Sequence, residues 1–182
     1  MIVIILRLIG VLNAAVWFGS ALFFTFGVAP AFFTPAMKAL LGGGEAADYY
    51  AGVIAQMVLQ RYFILNHVCG IIALVHLVAE WMYLGKTMNR LTLSILTGAF
   101  CFGLIGGVYL QPKLKTLHQI KYDRSSDRTP AQQLSAGRSF SRWHGVSQVM
   151  NLMVLIGLGV YMWRMAHAPD TSRYVISSKF RS

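Results

Sequence analysis

Four long apolar runs alternate with polar segments along the chain. A helix needs about 20 mostly apolar residues to cross a bilayer, and each of these runs reaches that length. They cover residues 2–28, 63–84, 91–110 and 144–163. The pattern therefore predicts four transmembrane helices and an all-α fold, an integral membrane four-helix bundle.

Residues between the runs predict where the helices begin and end. Pro30 and Pro35 are predicted to end the first helix. Glu45 comes directly after a glycine run, and acidic residues favour the first turn of a helix, so a new helix is predicted to start there. Leucines at helical spacing carry the third helix past residue 110, and Thr129-Pro130 is a helix start before the fourth run. We expect helices 3 and 4 to extend beyond the bilayer. Residues 1–168 then form the transmembrane domain, and residues 169–182 form a basic polar tail.

The composition agrees with a membrane protein. Hydrophobic residues make up 56% and charged residues 12% of the 182 residues, whereas soluble domains have about 45–50% and about 25%. The two cysteines, Cys69 and Cys101, lie in apolar runs and match neither a disulfide framework nor a CxxC metal motif. They are interpreted as small hydrophobic residues.

The net charge of +10 comes from basic residues that flank the apolar runs. Such residues orient helices and contact anionic lipid headgroups, so we expect a lipid bilayer as partner and no nucleic acid. Nine Lys and Arg lie on the side of segments 29–62 and 111–143, and seven lie on the side of the termini. We therefore expect these two segments in the cytoplasm, with the protein in the cytoplasmic membrane of a bacterium.

One face of the second run combines small and polar residues. Asn66, His76 and Glu80 share this face, and Glu80 is the one carboxylate within any of the four runs. Because a charged residue within a span costs about 2.5–3.5 kcal/mol, it normally has a partner. Arg7 enters the first run at similar depth and is the expected partner. This pair fixes the register of two helices, or it forms a proton or cation relay with His76.

The fourth run begins with a polar stripe. His144, Ser147, Gln148 and Asn151 recur at i, i+3, i+4 and i+7, which places them along one helix face. One interpretation is that the stripe faces inward and hydrogen-bonds neighbouring helices, with Asn66 as partner. The other interpretation is a ligand site.

The ligand interpretation rests on histidines. His67, His118 and His144 approach from the same side of the membrane, and three imidazoles at one end are able to hold haem or a divalent metal ion. His76 is a further candidate haem ligand. No HxxxH, ExxH or CxxC spacing supports a particular metal. Moreover, His67 is predicted to point off the inner face of its helix, and His118 to lie in solution. The cofactor is therefore unknown, with haem as one candidate.

The stripe also belongs to a longer motif, Phe140-x-x-x-His144-Gly145-x-Ser147-x-x-x-Asn151-Leu152. This motif resembles the signature of the transmembrane-protein-205-like family of four-helix membrane proteins. The segments "WFGSALFFTFGVAPAFF" at 17–33 and "GVYLQPKLKTL" at 107–117 look like the same family's first and third helices. That family is in turn similar to copper-resistance-D-like proteins and a haem-associated protoporphyrinogen oxidase type. The resemblance implies a four-helix bundle and suggests metal, haem or drug-resistance roles.

Sequence motifs give little support to catalysis, since GxSxG, P-loop, HExxH and paired-carboxylate patterns do not occur. Two hypotheses of different classes remain. The first is a structural or accessory component of a membrane assembly, which binds other membrane subunits or itself and is not an enzyme. The second is a haem- or metal-binding or ion-handling membrane protein of the copper-resistance-D-like type.

Overall fold

The computed structural model describes residues 2–85, 89–123 and 128–167. Within these ranges every regular element is a helix, which confirms the all-α class. The helices are α1 (Ile2–Ala31), α2 (Pro35–Leu40), α3 (Gly44–Leu84), α4 (Arg90–Lys121) and α5 (Pro130–Ala166). All of them except α2 are long and apolar enough to cross a membrane. The predicted tail at 169–182 lies outside the described residues.

Short polar side chains fix several helix starts. Thr129 caps α5 and forms a reciprocal capping box with Gln132, as the Thr129-Pro130 pair predicts. The Asn89 side chain accepts hydrogen bonds from the first amides of α4. Helix α3 begins at Gly44, so the predicted helix start after the glycine run is confirmed. At its other end α3 stops at Gly85, which has a left-handed conformation.

Two helices contain a π-helical turn just before a proline. The turn Phe24–Val28 precedes Pro30 in α1, and the turn Ile105–Leu110 precedes Pro112 in α4. Proline lacks an amide hydrogen, and its ring clashes with the carbonyl four residues earlier in an α-helix. A π turn inserts one residue and relieves that clash. Pro30 and Pro35 were predicted to end the first helix, and α1 does end between these two prolines, at Ala31.

The four long helices form a ring in which α1 packs on α3 and α5, and α4 packs on the same two. Trp17 and Tyr161 are fully buried at its centre, with ring centroids 6.4 Å apart in an edge-to-face arrangement. The face predicted for the second run is buried at Asn66 and His76. The buried residues are Gly10, Asn13, Ala14, Trp17 and Ala21 on α1; Asn66, Cys69, Ala73 and His76 on α3; and Ala99, Gly103, Gly106 and Leu110 on α4.

Three helices continue past the membrane as an extension, formed by residues 44–62 of α3, 111–121 of α4 and 130–143 of α5. Helix α3 has 41 residues and α5 has 37, which gives lengths of about 60 and 55 Å against about 30 Å of hydrocarbon. The predicted extension of the third and fourth membrane helices is thus confirmed. Helix α3 extends as well, and the Lys38–Asp48 ion pair at 2.7 Å joins α2 to its first turns.

Aromatic and basic side chains lie where the extension begins. The ammonium group of Lys113 lies 3.7 Å from the ring centroid of Trp143, and Tyr109 packs edge-to-face on the same indole. Tyr and Trp are enriched at the lipid headgroup level, and lysines extend towards it. This contact between α4 and α5 places the membrane boundary close to Leu110 and His144, where the apolar runs end and begin.

Candidate functional site

Asn66 joins three helices within the bundle. Its carboxamide oxygen accepts a hydrogen bond of 2.7 Å from the indole nitrogen of Trp17 on α1. Its carboxamide nitrogen lies against Gly103 on α4, where a Cβ atom would overlap it. Asn66 is 3% exposed, so the bond is shielded from lipid and water. The sequence singled out Asn66 but assigned it the wrong partner.

Asn13 makes a second contact between α1 and α3. Its carboxamide nitrogen donates to the Cys69 carbonyl oxygen at 3.0 Å, and the Asn13 side chain is buried. An Asn side chain paired with a backbone carbonyl in this way fixes the relative register of two helices. Asn13 was not among the candidate site residues.

His76 contacts α1 near the terminus side of the bundle. Its Nε2 lies 2.8 Å from the Leu6 carbonyl oxygen, and because a carbonyl only accepts, Nε2 carries the proton. The ring lies on Gly10, where a Cβ would fall 2.7 Å from Nε2. Arg7 is exposed and Glu80 is half-buried, and both have interacting neighbours. The Arg7–Glu80 pair stays a prediction.

The polar stripe of α5 is divided between two environments. The Asn151 carboxamide donates to the Thr25 hydroxyl at 2.8 Å, which links α5 to the π turn of α1. The Ser147 hydroxyl donates to the His144 carbonyl of its own helix at 2.7 Å. His144 and Gln148, however, are exposed. The expectation that all four face inward is therefore wrong for these two, since the stripe lies on the outer edge of α5.

The three histidines on the loop side do not come together. Among the described residues, no group of three His, Cys, Asp or Glu side chains is placed to hold a metal ion. His67 contacts α4 at Gly107, whereas His118 is 11 residues further along the same helix, about 16 Å away. His118 and His144 lie on either side of Phe140, at 5.8 and 5.7 Å between ring centroids. The expected three-imidazole site is not formed.

The environments of His67 and His118 also differ from expectation. The Nε2 atom of His67 is buried beside α4, between Phe63 and Phe100, and has no hydrogen-bond partner within the described residues. His67 thus faces a neighbouring helix and does not point away from the bundle. His118 is 4% exposed, so it is not in solution. The prediction for His67 rested on its helix face, and the prediction for His118 rested on its position beyond the third apolar run.

His118 lies at the centre of an aromatic cluster in the extension. Its ring stacks on Tyr49 at 5.5 Å and lies 4.9 Å from the ring of Tyr122. Gly52 makes room for it, since a Cβ there would overlap the imidazole. His118 is eight residues beyond Leu110 and outside the membrane. Burial, and then the nearby Lys121 charge, lower the pKa of His118 below its usual 6.5.

A cleft of about 460 Å³ adjoins this cluster at the far end of the extension. Three tyrosines, two carboxylates and a carboxamide contribute to its walls: Tyr49, Tyr50, Tyr122, Glu45, Asp123 and Gln119. Sequence reasoning did not predict this cleft. The residues come from α3 and from the end of α4, some 70 positions apart, so no local pattern brings them together.

The family profile of a domain of unknown function, DUF4149, matches residues 12–123. The chain belongs to this family. The DUF4149 match includes both partners of the Asn13–Cys69 and Trp17–Asn66 contacts, and it leaves Leu6, the partner of His76, and the polar stripe of α5 outside. No curated protein and no solved structure matches the chain. Membership therefore names the family without assigning a reaction.

Proposed function

We propose that this DUF4149 protein is a non-enzymatic accessory subunit of a membrane assembly, and that α5 carries the surface that binds its partner. The observation behind the proposal is the exposure of His144 and Gln148 at the start of the fourth membrane span. Gln148 lies four residues inside the apolar run, about 6 Å along the helix. A carboxamide that faces hydrocarbon without a hydrogen bond costs several kcal/mol.

A transmembrane helix of another protein removes that cost. Polar side chains hydrogen-bond across membrane helices, at about 0.6 kcal/mol on average. His144, Gln148 and Ser147 between them present donors and acceptors along one turn. We therefore assign this surface to a partner helix that carries Ser, Thr, Asn or Gln at matching spacing.

The interior polar groups support a structural role. Asn66 pairs with Trp17, Asn13 with the Cys69 carbonyl, and His76 with the Leu6 carbonyl. Each of these bonds joins α3 to α1. Two of the polar side chains also lie against a glycine of a neighbouring helix, Asn66 against Gly103 of α4 and His76 against Gly10 of α1. Contacts of this kind set helix register and spacing. They hold the bundle rigid behind the exposed edge of α5.

The proposal also includes the location of the protein in the cell and its relationship to a wider family. The excess of basic residues supports a cytoplasmic membrane with segments 29–62 and 111–143 in the cytoplasm. The motif around His144 supports a relationship to the transmembrane-protein-205-like family. Both features agree with a small bundle that acts through contacts with larger membrane proteins.

A photo-crosslinker tests the partner surface in intact membranes. Benzoylphenylalanine replaces Leu152, one turn beyond Gln148 on the same side of α5, in one variant, and Met153 on the adjacent surface of α5 in the control variant. Leu152 is 51% and Met153 is 47% exposed, so the two positions match in accessibility. We expect an adduct with one defined membrane protein from position 152 and none from position 153.

The outcomes separate the hypotheses. The adduct should disappear when His144 is changed to Ala in the same chain, because the partner then loses part of its hydrogen-bonding surface. An adduct of two copies of the 20.2 kDa chain would indicate self-association and contradict the accessory role. Equal adducts from positions 152 and 153 would show ordinary lipid exposure.

A haem-binding protein is the second candidate, because the buried Nε2 of His67 has no partner within the described residues. An imidazole nitrogen of this kind is a suitable axial ligand. An oxidised-minus-reduced absorption spectrum of the protein purified in mild detergent tests it. A haem band lost in His67→Ala but kept in His167→Ala would favour this candidate, and a flat spectrum would remove it.

A further inference from the structure

Lys113 lies beside two aromatic rings where α4 and α5 leave the membrane. Its ammonium group on α4 is 3.7 Å from the ring centroid of Trp143 on α5, and it donates to the Tyr109 hydroxyl at 3.3 Å. An ammonium group has three donors, and within the described residues this bond uses one of them. Two donors therefore remain for an acceptor from outside the bundle.

Arg142 directly precedes Trp143 and projects from the side of α5 that faces α4. Gly157 marks this side, because a Cβ there would contact Ile95 of α4. Arg142 lies within about 60° of Gly157 around the helix axis. It is exposed and makes no hydrogen bond or ion pair within the described residues. Trp143 thus has a basic side chain from each helix next to it.

No acidic residue offsets these charges on the two helices. All six Asp and Glu of the chain lie outside 90–121 and 130–166, so the charged residues of α4 and α5 are all basic. Arg138 is also exposed, and it lies one turn from Arg142 on the same face of α5. A surface with charges of one sign attracts a ligand of the opposite sign.

An exposed apolar row continues from Arg142 into the membrane. Val146, Val149 and Met153 follow Arg142 at i+4, i+7 and i+11, which places them along one side of α5. All three side chains are exposed. A basic end above an apolar row matches the two parts of a phospholipid, a phosphate headgroup and acyl chains.

This surface is separate from the partner surface of α5. His144 is two residues from Arg142, about 200° around the helix, so the two side chains lie on opposite sides of α5. Asn151 contacts α1, whereas Trp143 contacts α4. The two surfaces can therefore be tested independently.

We propose that the surface formed by α4 and α5 binds one anionic phospholipid of the surrounding bilayer. Its phosphate lies between Lys113 and Arg142, and its acyl chains lie along Val146, Val149 and Met153. Lys and Arg bind phosphate oxygens through charge-assisted hydrogen bonds. The lipid then bridges α4 and α5 at the point where both helices leave the membrane.

Quenching of Trp143 fluorescence by brominated lipids tests the proposal. Trp81 and Trp163 are replaced by phenylalanine in the full chain, which leaves Trp143 at the site and Trp17 buried in the bundle. Nanodiscs of phosphatidylcholine contain brominated phosphatidylglycerol or, as control, brominated phosphatidylcholine at the same mole fraction. We expect phosphatidylglycerol to associate at least about fivefold more strongly, the contribution of one basic side chain near an anionic surface. Equal quenching by both lipids would overturn the proposal.

Variants show whether the two basic side chains make the contact. Lys113→Gln and Arg142→Gln should each weaken the association of phosphatidylglycerol about fivefold and leave that of phosphatidylcholine unchanged. The matched control is Lys115→Gln, an exposed lysine on the opposite side of α4, about 200° from Lys113. Equal losses at positions 113 and 115 would mean that the overall positive charge attracts the lipid, and would contradict a defined site.

Inorganic phosphate distinguishes a bilayer lipid from a soluble anion. Quenching that persists in a large excess of phosphate supports the lipid, because the apolar row still holds the acyl chains. Release of the brominated lipid by phosphate would assign the basic pair to a soluble anion and would overturn the lipid assignment.

Discussion

The imidazole of His118 fills the space that a side chain at position 52 would occupy. A Cβ on Gly52 would overlap the ring, and the ring cannot move aside because Tyr49 and Tyr122 also contact it. We expect Gly52→Ala to reduce the free energy of unfolding by about 1–3 kcal/mol, as overpacking of a core does. Thermal unfolding in detergent measures the change.

Gly98 is the matched control for this substitution. It lies in α4 with no atom within 4 Å of an added Cβ. Gly98→Ala should therefore stabilise the helix by about 0.5–1 kcal/mol, the usual difference in helix propensity. If both alanines had the same effect, the close approach of His118 to Gly52 would not determine stability.

The bond between Trp17 and Asn66 gives a second prediction. Asn66→Leu leaves the buried indole N–H without an acceptor, which costs about 1–3 kcal/mol. Asn151→Leu removes a half-buried bond to Thr25 and should cost only about 0.6 kcal/mol. Measured in the same detergent, the free energy of unfolding should fall more in Asn66→Leu than in Asn151→Leu. A larger loss for Asn151→Leu would contradict the central role of Asn66.

Sequence periodicity predicted which residues share a helix face but not what each face meets. Asn66 and His76 were placed together correctly because a spacing of three and four residues is visible within one helix. The same periodicity put His144 and Gln148 on one face, yet it could not show that this face lies at the edge of the bundle. That choice depends on where α1 and α4 pack.

The contacts of His118 could not be predicted for a related reason. Gly52 and His118 are 66 positions apart, and the extension has low hydropathy, so its residues look like solvated helix. Tertiary packing of three helices buries the imidazole all the same. The π turns before Pro30 and Pro112 were not predicted either, because Pro30 was interpreted only as part of a helix end and Pro112 was not interpreted at all.

Stability should also depend on pH through His118. Its pKa is lowered in the folded protein, whereas the unfolded chain keeps a value near 6.5. Below about pH 6.5 the unfolded state therefore binds more protons, and the free energy of unfolding falls as the pH falls. We expect unfolding midpoints between pH 8 and pH 5 to show this loss in the wild-type chain.

Replacement of the imidazole isolates that effect. His118→Gln removes the titrating group and should flatten the pH dependence, although its overall stability is lower. His167→Gln serves as control, because His167 is exposed at the end of α5. A pH profile that stays unchanged in His118→Gln would show that other groups cause it.

Gln148→Leu separates stability from assembly. The carboxamide is exposed, so its loss should leave the unfolding of the isolated chain unchanged within about 0.5 kcal/mol. In membranes the same variant should lose its proposed partner, measured as loss of the crosslink from position 152. Loss of stability in the isolated chain would instead mean that Gln148 belongs to the bundle.

The burial of Trp17 allows the packing of the bundle to be followed by tryptophan fluorescence. Trp17 is 0% exposed and hydrogen-bonded, whereas Trp81 and Trp163 are more than half exposed. With the other three tryptophans replaced by phenylalanine, the emission wavelength of a single indole would report the interior directly. A red shift of this emission would indicate that α1 separates from α3. Conformational changes confined to the extension would leave the emission wavelength of Trp17 unchanged.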